Sequence, residues 1–301
     1  MADNASSGPG PVNEASGEVL LSSPSGSPLE FQLASGRLHA ERFGGQVGLP
    51  VICIPGLSAN LRGFDFIAER IAGEARPVVT LDLRGRGHSD VTESGTYGWV
   101  SHARNVLGVA DALGATHFAV IGQSMGAFVA MEIARLAPER LSAAVLIDAC
   151  GEPDPAAVPL IRAAVERLGT VYPSLEAYLA LVQRLGTIRP WSPYWERYFA
   201  YELAPVDGGV RARSDRDAVL EDATYGEEHD PRALWRCLTM PVLLLRATQP
   251  LVEGAGFIVP PAERDNFLAQ VPSARLVEID ANHYGINTHP EASQAIADFL
   301  G

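Results

Sequence analysis

"HFAVIGQSMGAFVAMEIARLA" occupies residues 117–137, and the joint inside it decides the fold class. Residues 117–124 read as a strand built on the apolar run Phe118–Ile121, while 125–137 carry the spacing of a buried helix. The pattern G-x-S-x-G falls between them, with Ser124 at its centre. A chain with 29 glycines in 301 residues meets that pattern by chance often enough that it carries little weight alone. The strand–turn–helix setting supplies the weight, because so sharp a turn strains the serine backbone and exposes its hydroxyl. Gly122 and Gly126 are then required, since side chains there would collide as the helix folds back over the strand. The helix N-terminus also favours negative charge developing at Ser124.

Outward from this joint the same alternation repeats. "LEFQLAS" (29–35) and "GRLHAERFG" (36–44) read as an antiparallel opening pair. "PVICIPG" (50–56), "PVVTLDLRG" (77–85) and "LSAAVLIDA" (141–149) are further strands, as are "PVLLLRA" (241–247) and "ARLVEID" (274–280). Helices are expected over about 64–72, 98–113 and 125–137, and again from about 261 and 290. Apolar strands alternating with helices predict an α/β fold around a mostly parallel sheet of eight strands. Residues 151–240 break the rhythm with helical patterns, several prolines and no convincing strand. They read as an α-helical cap inserted after the sixth strand, lying over the carboxyl edge where open α/β sheets bind ligands. The organisation expected is therefore a tail at 1–17, a core of 18–150 with 241–301, and a cap at 151–240.

The balance of 23 basic against 36 acidic residues gives a formal charge of −13. That argues against nucleic acid or an anionic membrane as partner, since both need a basic face. Cys53, Cys150 and Cys237 are odd in number and widely spaced, which fits reduced thiols in a cytoplasmic protein and neither a disulfide frame nor a zinc site. The opening "MADNASSGPGPVNEASG" lacks the basic start and apolar run of a signal peptide, and no apolar stretch is long enough to span a membrane. No metal or other cofactor is implied. The oligomeric state is left open, a homodimer being one option.

A serine hydroxyl is a poor nucleophile at neutral pH without a base beside it. Among seven histidines, His283 in "DANHYGINTHP" is placed to serve, because it follows the strand 274–280 on a loop returning to the sheet edge. His289 reads as a helix cap and His88 as part of a structural turn. His39, His102, His117 and His229 have no comparable placement.

Taken together, "IPGLSANLRGF", "LDLRGRGHSD", "GQSMG", "VLIDA" and "ANHYG" resemble the α/β-hydrolase fold superfamily in order and spacing, over nearly all of 29–301. The resemblance implies an oxyanion hole made by the backbone N–H groups of Leu57 and Met125. Many relatives have His-Gly where this chain has Pro55-Gly56, a change that leaves the next residue's N–H available. The family's common Gly-x-x-Asp after the strand matching 241–247 is missing: Gln249 stands at the aspartate, followed by Pro250. An amide cannot steady an imidazolium as a carboxylate does. Three carboxylates are open as replacements. Asp148 ends the neighbouring strand, as the acid does in relatives of the acetamidomethylene-succinate hydrolase type. Glu253 reaches the base only if its loop is reshaped, and Asp280 lies close before His283 in sequence.

On this resemblance the catalytic residues are Ser124, His283 and Asp148, with Glu253 the alternative acid. The expected activity is a serine hydrolase acting on a small carboxylic ester, lactone or related acyl compound. The rivals are a C–C bond hydrolase of a ring-cleavage product, a cofactor-free dioxygenase, and a ligand receptor that keeps the pocket without turnover. A dehalogenase would need an aspartate at position 124. In the cap, Trp191, Tyr194, Trp195, Tyr198 and Phe199 share one helical face. That face either docks the cap or lines a pocket for an apolar or aromatic part of the substrate. Tyr284 and Cys150 are placed to edge the same pocket, and one or two of arginines 162, 184, 189, 211 and 213 are candidates to hold a substrate carboxylate.

Overall fold

The computed structural model describes residues 25–301, so the tail expected at 1–17 lies outside the described residues. β1 (Ser27–Leu33) and β2 (Gly36–Phe43) pair antiparallel from Ser27↔Arg42 to Leu33↔Gly36. β3 (Val51–Ile54), α1 (Asp65–Ile71), β4 (Val78–Leu81), α2 (Trp99–Ala112), β5 (Phe118–Gln123), α3 (Met125–Leu136) and β6 (Leu141–Ile147) follow in alternation. The chain then leaves the sheet for α4 (Val158–Glu166), β7 (Val171–Tyr172), α5 (Leu175–Leu185), α6 (Pro193–Glu202), β8 (Leu203–Val206), β9 (Gly209–Ala212) and α7 (Arg216–Glu228). It returns through β10 (Val242–Ala247), α8 (Pro261–Gln270), β11 (Ala274–Ile279) and α9 (Pro290–Leu300).

The eight-stranded sheet runs β1-β2-β4-β3-β5-β6-β10-β11, with β2 antiparallel to both neighbours and every pairing from β4 to β11 parallel. Its central strands are buried on both faces, which is why they read as unbroken apolar runs. One face packs on α2, α3 and α8 through residues such as Val106, Met131 and Phe267. The other packs on α1 and α9 through Ile67, Ala68 and Ile296. Each fully buried leucine, isoleucine or phenylalanine in these layers contributes roughly 1.5–3 kcal/mol by leaving water.

Register positions the chemistry. Gln123 pairs with Ile147, and Ile147 with Leu245, on three adjacent parallel strands. Ser124 and Asp148 therefore leave the sheet side by side, one residue beyond that row.

The expectation that 151–240 contains no strand is corrected. β7, β9 and β8 form a small antiparallel sheet between the helices. Its hairpin turns at Asp207-Gly208, where Gly208 has φ +87° and Gly209 φ +147°, values that favour glycine. A Cβ on Gly209 would lie 1.9 Å from the Tyr172 carbonyl oxygen, so glycine also lets β7 approach. The Asp-Gly pair was the available signal, and the strands around it hid it by being only four residues long, with Pro205 inside one and Gly209 opening the other. Residues 231–237 also belong with the core: the Trp235 ring is buried against Phe267 at 5.3 Å, and its indole N–H donates to the Cys150 carbonyl at 2.7 Å.

Candidate active site

Ser124 sits at φ 54°, ψ −124°, a conformation that non-glycine residues adopt only under constraint. The constraint is visible on both sides. Its own N–H donates to the Ile147 carbonyl at 3.0 Å, tying the turn to β6. A Cβ on Gly122 would lie 2.2 Å from the Gly126 carbonyl oxygen, and one on Gly126 2.0 Å from that of Ile54. Both glycines are thus needed where the sequence places them. Among the described non-glycine residues, only Asp148 shares a positive φ, at 48°.

His283 follows β11 on a loop held by Asn282, whose side-chain amide donates to the Thr187 and Leu251 carbonyls at 2.8 and 3.2 Å. The side-chain Oδ1 of Asn282 accepts from the Gly285 N–H at 2.9 Å, closing the turn around the imidazole. Nδ1 of His283 lies 2.8 Å from Oδ2 of Asp148. Oδ1 of Asp148 accepts from the Ala247 N–H at 2.9 Å, so both carboxylate oxygens are engaged in a site where Asp148 is 1 % exposed. This assigns the proton to Nδ1 and leaves a lone pair on Nε2. The amide nitrogen of Gln123 donates to that lone pair at 3.0 Å. Ser124 Oγ has no hydrogen-bond partner among the described residues.

The other carboxylates are elsewhere. Glu253 is exposed, with no hydrogen bond from its carboxylate to a described residue. Asp280 is also exposed and accepts from Gln249 at 2.8 Å, so the residue at the missing aspartate faces solvent.

The two amides proposed for an oxyanion flank Ser124 in space. Met125 follows it, and the Gly56–Leu57 loop passes so close that a Cβ on Gly56 would lie 3.2 Å from Ser124 Cβ. Neither the Leu57 nor the Met125 N–H donates to an acceptor among the described residues. Leu57 is anchored at the next peptide, its carbonyl accepting from Nε and Nη2 of Arg86 at 2.9 and 2.7 Å. Arg86 is fully buried and ion-paired at 2.6 Å with Asp222 of α7, which also lies 2.9 Å from His102. Burial alone would raise the Asp222 carboxyl, but His102 and Arg86 outweigh it and hold the group down at about 2. Asp82, equally buried, accepts from the Leu61 and His88 N–H groups at 2.9 Å and from the Tyr201 hydroxyl. "LDLRGRGHSD" is thus a brace between loop 55–61 and the cap.

A cavity of about 340 Å³ opens over Ser124, Gln123 and His283. Of the residues expected there, Trp195, Tyr198, Phe199 and Tyr284 line it. Trp191 and Tyr194 do not, which corrects the reading of one continuous aromatic face. Trp191 precedes the start of α6, so helical spacing does not apply to it; its ring stacks on Phe199 at 5.9 Å. Tyr194 lies one turn before Tyr198, packs edge-on against Phe66 of α1 at 5.1 Å and bonds Glu69, fastening the cap to the core. Cys150 is fully buried in the core and edges no part of the cavity.

None of the five arginines singled out lines the cavity: Arg162 pairs with Glu227 at 2.7 Å, and Arg189 and Arg213 reach backbone carbonyls. Arg167 lines it instead, with no carboxylate of the described residues within 4 Å of its guanidinium. Glu202 shares the cap wall and accepts from the Tyr178 hydroxyl at 3.2 Å. Burial raises the Glu202 carboxyl to about 7, against the smaller opposing effects of the Tyr178 hydrogen bond and the Arg167 charge. Sequence reasoning missed Arg167, Glu202, Gln123 and Arg86. Only Gln123, next to Ser124, carried a local signal. Among the described residues no group of three or more His, Cys, Asp or Glu side chains is placed to hold a metal ion. No helix among them is long and apolar enough to cross a membrane.

Comparison with known proteins bears on the fold and the family. The family model described as alpha/beta hydrolase fold matches residues 50–290. A serine hydrolase-like protein of Danio rerio is 26% identical over 88% of this chain and 85% of its own length. The 2-(acetamidomethylene)succinate hydrolase of Mesorhizobium japonicum is 26% identical over 81% of this chain and 85% of its own. The crystal structure of an E-2-(acetamidomethylene)succinate hydrolase superposes with a TM-score of 0.80 at 23% identity, covering 91% of this chain and 98% of that one.

Proposed function

This chain belongs to the α/β-hydrolase fold family, and from that premise we propose that it is a serine hydrolase cleaving a small carboxylic ester, lactone or related acyl compound through Ser124, His283 and Asp148. The observation that carries the reading is the 2.8 Å contact of His283 Nδ1 with the buried Asp148, beside a strained Ser124 opening on the same cavity. His283 accepts the Ser124 proton at Nε2 as Oγ attacks the carbonyl carbon. The oxyanion is held by the Leu57 and Met125 N–H groups, each worth about 3 kcal/mol of transition-state stabilisation. The imidazolium, steadied by Asp148, protonates the leaving group. Water then repeats the sequence on the acyl-enzyme and frees the acid.

The cavity favours an acyl compound with an apolar or aromatic body and an acidic group at the cap end. The walls are mainly aliphatic and aromatic, and Arg167 is a cation there that lacks a carboxylate partner among the described residues. The similarity to a 2-(acetamidomethylene)succinate hydrolase supports the same class. A second reading, a receptor that binds without turnover, is favoured by one observation, the Gln123 amide on Nε2 of His283.

Intact-mass labelling by a fluorophosphonate tests the proposal. Stoichiometric labelling that disappears in Ser124→Ala is expected, together with a lower KM for esters bearing a terminal carboxylate that is lost in Arg167→Met. No labelling of the wild type overturns the hydrolase reading in favour of the receptor.

A further inference from the structure

Gln123 is 5 % exposed and makes its amide donation to the atom that must receive the Ser124 proton. Its position is prepared by its neighbours. It ends β5 one residue before Ser124, and its Oε1 occupies space under the oxyanion loop, where a Cβ on Gly56 would come within 2.8 Å. While the amide holds Nε2, that lone pair is not available for proton transfer. Turnover requires the amide to swing off. Once substrate has displaced water from the cavity, a freed and buried N–H without an acceptor costs more than the hydrogen bond it left.

We propose that Gln123 is a specificity-determining residue, an amide latch on His283 that is released by acyl groups carrying a second hydrogen-bond acceptor beside the scissile carbonyl. The inference rests on the serine-hydrolase reading. The substrate acceptor takes the Gln123 N–H, Nε2 is exposed to Ser124, and the proton passes to it as the Oγ–carbon bond forms. A plain alkanoyl group of the same size offers no acceptor, so its attack proceeds with either the latch in place or the amide unsatisfied.

Two isosteric esters separate these cases. 4-Nitrophenyl methoxyacetate differs from 4-nitrophenyl butanoate by an ether oxygen in place of one methylene. Intrinsic reactivity cancels when the ratio of their kcat/KM values is compared between wild type and Gln123→Met, which keeps the length of the side chain and removes its donors. The expected result is a fall in the methoxyacetate-to-butanoate ratio of about threefold to tenfold in the variant, the range of one net hydrogen bond. Gln123→Asn, which keeps an amide too short to reach Nε2, should behave like Gln123→Met, and thermal melts confirm that both are folded. An unchanged ratio in variants that still label with fluorophosphonate overturns the latch and leaves the hydrolase intact. Wild type that neither labels nor turns over either ester overturns both.

Discussion

Replacing Asp148 by asparagine is expected to abolish base function by moving one proton, and the structure determines which. Oδ1 of Asp148 accepts the Ala247 N–H at 2.9 Å and Oδ2 faces His283 Nδ1 at 2.8 Å. An asparagine has one acceptor and one donor end. Turning its NH2 toward Ala247 would oppose two donors in a site 1 % exposed, so the carbonyl stays on Ala247 and the NH2 faces His283. Nδ1 must then carry the lone pair and Nε2 the proton, the tautomer that cannot accept from Ser124. The comparable change in a serine protease lowers kcat by about ten-thousandfold, or about 5.4 kcal/mol at 1.36 kcal/mol per tenfold. Stopped-flow or quench measurement of fluorophosphonate labelling at Ser124, by intact mass, reads the loss directly, with circular dichroism to confirm the fold. Glu253→Gln, an exposed change, should stay within about twofold of wild type. Retention of more than a tenth of the labelling rate in Asp148→Asn, with collapse in Glu253→Gln, would refute the reasoning and move the acid to the later loop.

Three further outcomes follow from the same structure. Arg86→Met removes both hydrogen bonds to the Leu57 carbonyl and leaves Asp222 buried without its guanidinium partner, held only by His102 and the Gly98 N–H. Breaking such a pair costs about 3–5 kcal/mol, and in the fraction that folds kcat should fall at least tenfold with KM little changed; the reverse pattern would dissociate Arg86 from the oxyanion loop. Glu202 keeps its proton in the folded chain up to about pH 7, whereas its ordinary value is 4.5. Between those values the folded state is the more protonated, so stability should fall as pH rises through the window and stay lower above it. The loss is roughly 3 kcal/mol at most. Urea unfolding at pH 5 and pH 8 should show this difference in wild type and lose it in Glu202→Gln; an equal slope in both would place the effect on another group. Gly126→Ala brings a Cβ to 2.0 Å from the Ile54 carbonyl oxygen, which is backbone and cannot yield, so soluble expression or Tm should drop sharply. A normal melting curve would mean the elbow is looser than its geometry indicates.

The features legible in the sequence are those set by neighbours along the chain. The apolar runs within 117–124 and 241–247 became β5 and β10 because residues buried on both faces of a parallel sheet leave no polar alternation. Gly122, Ser124 and Gly126 were readable because they form one local pattern at a strand–helix joint, although the atom that a side chain on Gly126 would strike, the Ile54 carbonyl oxygen, comes from a distant strand. His283 was readable from chain order alone. Residues whose roles depend on register or on packing between distant segments were not. Which carboxylate meets the imidazole depends on β6 lying beside β10 with Ile147 opposite Leu245, a pairing that brings residues 148 and 283 together across 135 positions. The five cap arginines and the aromatic stripe were over-read because spacing along a helix gives direction about its own axis and not what stands opposite. Trp195 and Tyr198 met the cavity, while Tyr194 met Phe66 and Trp191 met Phe199. Arg167 and Glu202 acquire meaning only when the cap is laid over the sheet edge, and Gln123, though it stands beside Ser124 in the chain, only when His283 comes to it across 160 positions.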